Sequence, residues 1–246
     1  MKNAVFIVDI KENNHIHDFS QYCISTWTFW SKKNNVEFFV LKKPFHAIAN
    51  KSPHLQKYFA FESLRENGID AEKVAIVDSD TMIRWDCPDF FKVLSGNFQA
   101  VLDDELPKWT TRSIQAYQDL FPRTQLNWWE YFNSGFMIVE KETAPSLKDF
   151  VDFILSVESE IINIHNTQNL KVGFDQTLFN FFIKKKNIPI TFLPKIFNFY
   201  HLQRKKILEE KEFIDLAYIW HFNGIKHSER EQHMSETWNK IQHHYQ

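Results

Sequence analysis

The chain has 246 residues, 43% of them hydrophobic and 24% charged, and a formal net charge of −2. These proportions belong to a globular chain able to bury a sizeable core, and the longest basic block, Lys184-Lys185-Lys186, falls short of the stripe that nucleic acid requires. Two cysteines far apart, Cys23 and Cys87, exclude a disulfide framework and a zinc cluster of paired cysteines, and no segment nears the ~18 apolar residues of a membrane span.

In chain order, short β-branched and aromatic runs predict strands at Ala4 to Asp9, Val36 to Leu41, Val74 to Val77, Gln99 to Leu102, Gly135 to Val139, Ile190 to Leu193 and Ala217 to His221. Amphipathic segments between them predict helices from Phe19 to Lys32, Pro53 to Asn67, Pro88 to Leu94, Pro145 to Ile162 and Phe174 to Lys186. Pro at several helix starts, with Gly68 and Gly96 just past two ends, supplies the expected punctuation. A tail helix over Glu229 to His244 reads as an appendage. The alternation predicts an α/β fold, a single Rossmann-like domain over residues 1–246 with a mixed, mostly parallel sheet flanked by helices. The N-terminal run MKNAVFIVDI is too short for a signal peptide, so the expected location is cytoplasmic.

Two strands end in acid: Val8 leads into Asp9 and Val77 into Asp78, placing carboxylates where open α/β sheets bind ligands. In Asp78-Ser79-Asp80 the carboxylates at i and i+2 can face a common point, and two hard oxygen donors suit Mg²⁺ or Mn²⁺. A capped polar turn leaving a buried strand reads equally from the pair alone.

VAIVDSDTMI, followed by a DFF helix beginning at Pro88, resembles the DxD segment of GT-A fold glycosyltransferases, particularly the family-8-like group. Three later stretches are similar to that family in the same order: YFNSGFMIVEK (131–141), GFDQTLFNFFI (173–183) and YIWHFNGIKH (218–227). The resemblance implies a divalent metal, Mn²⁺ or Mg²⁺, on Asp78, Asp80 and His221, holding the diphosphate of a UDP- or GDP-sugar. It implies that Asp9, Gly135, Gly224 and Lys226 line the donor and that Asn133, Asp175 and Gln176 orient the sugar, with retention at the anomeric carbon and an acceptor hydroxyl compound of open identity. The chain departs from the family at two points: Lys226 stands one position early with no Pro-Trp after it, and Thr177 replaces the last acid of the Asp-Gln-Asp triplet.

The glycines agree with this reading. Only five are present, Gly68, Gly96, Gly135, Gly173 and Gly224, and neither GxGxxG nor GxxxxGK[ST] can be built from them, so a diphosphate would have to be met by metal and side chains. A phosphatase of the DxDx[TV] type is disfavoured because Met82 stands where Thr or Val is needed. A non-catalytic sugar-nucleotide or glycan-binding module of the same fold is the remaining alternative. Further candidates are the acidic strand end Asp103-Asp104-Glu105, which fits acceptor binding or a solvated turn, and Trp128 and Trp129, read as packed core before sugar-stacking faces. Lys57 and Arg65, on the helix before the DxD strand, are within reach of a donor phosphate but read first as a solvated helix face.

Overall fold

A computed structural model describes residues 2–11, 18–48, 53–168, 170 and 174–246. Among these, the strands are β1 (Lys2–Val8), β2 (Glu37–Leu41), β3 (Ala71–Val77), β4 (Thr81–Ile83), β5 (Phe98–Leu102), β6 (Phe132–Glu140), β7 (Thr191–Leu193) and β8 (Ile219–His221). The helices are α1 (Ser20–Asn34), α2 (Pro53–Gln56), α3 (Ala60–Glu66), α4 (Phe90–Val93), α5 (Pro107–Tyr117), α6 (Ala144–Ser156), α7 (Glu158–Gln168), α8 (Phe174–Lys185), α9 (Phe213–Leu216) and α10 (His227–Ile241). None of these helices is long and apolar enough to cross a membrane.

Six strands form the central sheet in the order β2-β1-β3-β6-β5-β7. β1 runs parallel to β2 and β3, and β7 parallel to β5, whereas β6 is antiparallel to both of its neighbours. The expected mixed, mostly parallel sheet is present. One consequence positions the site: the carboxyl ends of β1, β3 and β5 and the amino end of β6 lie along the same edge.

The apolar runs form central strands because both of their faces are buried. Ala4 and Phe6 of β1 pack with Val74, Ile76, Phe150 and Phe179 on one side, while Val5 and Ile7 pack with Ala75, Val77, Trp27 and Trp220 on the other. Trp30 stacks on Phe90 with ring centroids 4.3 Å apart, and the Trp27 indole N–H donates to Thr81 Oγ1 at 3.0 Å.

Several boundaries differ from the sequence expectation. The strand ending at His221 does not join the central sheet; it pairs antiparallel with β4, a three-residue strand too short to leave a periodic signal, in register Thr81↔His221 and Ile83↔Ile219. The helix expected from Pro145 to Ile162 is two helices, parted at Val157, whose backbone (φ −120°, ψ 22°) leaves the helical region. The one expected from Pro53 to Asn67 is divided by a 3₁₀ turn at Lys57–Phe59. α5 was not foreseen, its TTRSIQ stretch carrying the β-branched residues that weaken a helical reading. The tail helix runs His227–Ile241, and its Met234, Thr237 and Ile241 are buried.

The indole bond of Trp27 is one of the ties between α1 and the turn after β3, beside the contacts of Cys23 with Asp78 O and Thr81 Oγ1. Trp27→Phe keeps most of the buried ring and removes the donor, and should lower the unfolding free energy by about 1–2 kcal/mol, read as a shift of the urea midpoint with the far-UV circular dichroism unchanged.

Candidate metal centre at the carboxyl edge of the sheet

The turn Asp78-Ser79-Asp80 is held by its backbone. The Asp78 N–H donates to Gly135 O at 2.9 Å, carrying the β3–β6 ladder one residue past the strand. The Asp78 carbonyl accepts from the Thr81 N–H (3.2 Å) and the Thr81 hydroxyl (2.9 Å), and that hydroxyl in turn accepts the Trp27 indole proton. The Asp80 carbonyl accepts from the Phe222 N–H at 2.9 Å. The turn is therefore held through backbone atoms of the two aspartates, which leaves their carboxylates out of it.

His221 reaches this turn because β8 pairs with β4. Its Nε2 lies 3.1 Å from Asp80 Oδ1, and one ligand atom from each of Asp78, Asp80 and His221 falls within 4.8 Å of the others. Two carboxylate oxygens and an imidazole nitrogen form a donor set that Mn²⁺ and Mg²⁺ accept. The ring has room because position 135 carries no side chain: a Cβ there would sit 2.1 Å from His221 Cε1 and 2.7 Å from its Nδ1. The β5–β6 register creates that room by jumping from Ala100↔Met137 to Val101↔Asn133, which leaves Ser134, Gly135 and Phe136 as a bulge.

A chain of hydrogen bonds sets the orientation of the imidazole. The Gly135 N–H donates to Asn133 Oδ1 at 2.9 Å, so that oxygen is an acceptor, and it accepts the Asn198 Nδ2 at 2.9 Å as well. Asn198 then presents its Oδ1 to His221 Nδ1 at 3.0 Å. Nδ1 therefore faces the Asn198 carbonyl oxygen, and Nε2 is the ring nitrogen on the side of the aspartates.

Among solved structures, the chain is similar to a glycosyltransferase involved in glycosylation of the major capsid of PBCV-1, with a TM-score of 0.63 at 12% identity over 96% of this chain and 100% of that one. The fold is that of a GT-A glycosyltransferase. It is also similar to the bifunctional glycosyltransferase WbbM (TM-score 0.57, 16% identity, 99% of this chain and 51% of that one) and to the galactosyltransferase LgtC in complex with donor and acceptor sugar analogs (0.50, 12%, 98% and 100%). This chain thus spans about half of WbbM. No family model matches the sequence, and no curated protein matches it.

Two cations that sequence reasoning did not place stand inside this GT-A edge. Lys57, expected on a solvated face, is only 5% exposed: its Nζ donates to Asp78 Oδ1 (3.1 Å), Ser134 O (3.2 Å) and Ser134 Oγ (3.2 Å), and lies 3.7 Å from Asp175 Oδ2. The cause is the 3₁₀ turn, which points Lys57 inward beside Leu55, Tyr58 and Phe59, all buried. Burial alone would lower its pKa, but Asp78 and Asp175 outweigh that and raise it, so the ammonium stays charged. Arg230 of α10 reaches Asp80 Oδ2 with its NH1 at 3.4 Å. Burial pushes the Asp80 carboxyl up, yet His221 and Arg230 beside it hold it well below the usual carboxylate range. Arg65 is exposed, as expected.

The other predicted residues divide between the site and its support. Asp175 and Gln176 lie in the first turn of α8 at the same edge, where Gln176 Oε1 accepts from the Ser134 N–H (3.1 Å) and its Nε2 donates to Asp103 Oδ2 (3.0 Å). Asn133 is buried, its amide engaged by Gly135, Asn198 and Asp103. Asp103 is buried too, and burial pushes its carboxyl up against the hydrogen bonds from Asn133 and Gln176. Asp104 and Glu105 pair with Lys195 and Lys205. Thr177, in place of an acid, shares hydrogen bonds of 2.7 Å with Ser113 and with the Tyr131 hydroxyl.

Asp9 follows β1 at this edge, its N–H donating to Leu41 O at 2.9 Å. Gly224 makes the turn after β8 at φ +68°, a conformation that favours glycine. Lys226 is 84% exposed and lies 3.6 Å from Glu229, and Gly173 lies outside the described residues. Trp128 and Trp129 are not core: they are 38% and 56% exposed, in a 3₁₀ turn leading into β6. Asn198 was missed altogether; its signal is a lone amide inside the apolar run IFNFY.

Gly135→Ala would force the His221 ring from its place against β6. The expected cost is about 1–3 kcal/mol, measured by urea unfolding, and an equal stability in the variant would show that the ring relocates freely.

Proposed function

We propose that the chain is a metal-dependent glycosyltransferase, a single catalytic domain over residues 1–246 that moves a sugar from a UDP- or GDP-sugar to an acceptor hydroxyl with retention. The observation that carries this reading is the convergence of Asp78, Asp80 and His221 at the carboxyl edge of a GT-A sheet. The donor set fits a resident Mn²⁺ or Mg²⁺, held by those three residues. When bound, such an ion supplies Lewis-acid stabilisation to the negative charge that grows on a departing diphosphate.

The chain's own groups then have distinct tasks. Lys57 holds Asp78 and Asp175 in fixed relation through its contacts to both. Gln176 and Asp175, at the start of α8, are positioned to hydrogen-bond the sugar hydroxyls. Asn133 and Asn198 act behind the imidazole, keeping Nε2 turned to the aspartates. Asp9, at the end of β1, is the contact proposed for the nucleoside, and Gly224 lets the loop after β8 close over the donor. The acceptor side is assigned to Trp128 and Trp129, exposed three and two residues before Tyr131, whose carbonyl accepts the Asp103 N–H at 2.7 Å. Cys23 and Cys87 are both unpaired and buried, which supports a reducing compartment and the cytoplasm.

Thermal shift with Mn²⁺ and a panel of UDP- and GDP-sugars tests the proposal. Ligand at a hundredfold excess over its Kd adds about 2.7 kcal/mol to the unfolding free energy; a donor should therefore raise the Tm with Mn²⁺ present and lose that effect in EDTA. No response to any donor would sink the reading. Donor turnover, followed as released UDP or GDP, should vanish in Asp80→Ala, and donor binding without turnover in the unaltered chain would favour the binding module.

A further inference from the structure

A divalent ion on Asp78, Asp80 and His221 neutralises only part of a nucleoside diphosphate, and a buried diphosphate also needs side-chain cations. Few candidates stand at this edge among the described residues. Lys226 projects into solvent, 84% exposed, toward Glu229. Lys57 is within reach of the aspartates, but its three protons already face Asp78 Oδ1, Ser134 O and Ser134 Oγ, all at 3.1–3.2 Å, with Asp175 beside them. It has no donor left to turn toward a ligand.

Arg230 differs in how it is held. Its Nε donates to Phe222 O at 3.0 Å and its NH2 to Ile225 O at 2.9 Å, so two backbone carbonyls of the loop between β8 and α10 fix the guanidinium plane. The Phe19 ring lies 5.1 Å from Cζ. The remaining nitrogen, NH1, approaches Asp80 Oδ2 at 3.4 Å, longer than the ~2.8 Å of a strong charge-assisted hydrogen bond. A guanidinium carries five N–H donors; both protons of NH1 and one of NH2 remain beyond those two carbonyl bonds. The plane is thus anchored on one side and offers an under-used fork at the metal ligands.

We propose that Arg230 is the phosphate-binding cation of this site: its NH1 edge neutralises Asp80 in the metal-free protein and passes to a diphosphate oxygen when a divalent ion takes Asp80. This rests on the nucleotide-sugar reading above. The exchange needs no movement of the anchored Nε and NH2. It also gives Arg230 opposite effects on two ligands, because it competes with the metal for Asp80 and attracts the phosphate that follows.

The test uses the full chain as wild type, Arg230→Met, Arg230→Lys and Lys226→Met. Mn²⁺ binding is read alone by electron paramagnetic resonance of the free ion; uridine, guanosine, UDP and GDP are titrated calorimetrically at saturating Mn²⁺. Arg230→Met should bind UDP or GDP about tenfold or more weakly, leave nucleoside affinity unchanged, and bind Mn²⁺ alone more tightly than wild type. Lys226→Met tests the rival cation: the tenfold loss falling on it instead of on Arg230→Met would overturn the proposal. Parallel losses of Mn²⁺, nucleoside and diphosphate in Arg230→Met would mark a merely structural arginine and overturn the proposal, as would an unchanged diphosphate affinity. Should Arg230→Met fail to fold, Arg230→Lys decides: it keeps the charge but lacks the fork, so diphosphate affinity should fall severalfold, and wild-type affinity there would overturn the proposal. If the wild type binds neither UDP nor GDP with Mn²⁺, the transferase reading fails and this inference fails with it.

Discussion

The His221 ring lies in the volume that a side chain at position 135 would fill, and the rest of the site follows from that contact. The bulge in β6 exists at the point where the ring must approach, and the same glycine donates the hydrogen bond that begins the orientation of Asn133, Asn198 and the imidazole. One residue therefore supplies space through a missing atom and direction through its backbone. Both functions are steric or geometric, and neither needs a charge.

Charge enters through pairs that are largely enclosed. Lys57, Asp175, Asp80 and Arg230 are mostly removed from solvent while the Asp78 side chain is 34% exposed, and the desolvation of the buried ions offsets much of the Coulomb gain. Such pairs add little to net stability but hold three carboxylates, 21, 118 and 150 residues from their counter-ions in the chain, in one arrangement. The edge is thereby organised before any ligand arrives, and an incoming cation meets fixed oxygens in place of mobile ones.

Much of this was legible in the amino-acid order, for identifiable reasons. The central strands could be read because each contains a short apolar run, and the acidic residues at the ends of β1 and β3 could be read because Asp9 and Asp78 follow directly. The aspartate pair, the FNSGF segment, Asp175-Gln176 and His221 were each marked locally, and the fold brings them to one edge. What escaped was whatever depends on partners distant in the chain. β4 has only three residues, Lys57 owes its burial to a helical turn changing type, and Arg230 sits in a charged stretch that looks solvated until its helix docks. Trp128 and Trp129 show the opposite error, large apolar side chains assumed to be interior and found at the surface.

The order of the strands has a consequence for biosynthesis. β6 is inserted between β3 and β5 although β5 precedes it in the chain, and the third ligand arrives only with β8, some 140 residues after the first two. A nascent chain can close β1, β2 and β3 early, since those contacts are comparatively local, while the long-range pairings form late. The cluster of Asp78, Asp80 and His221 is accordingly completed late, and a chain halted before residue 219 would lack its imidazole.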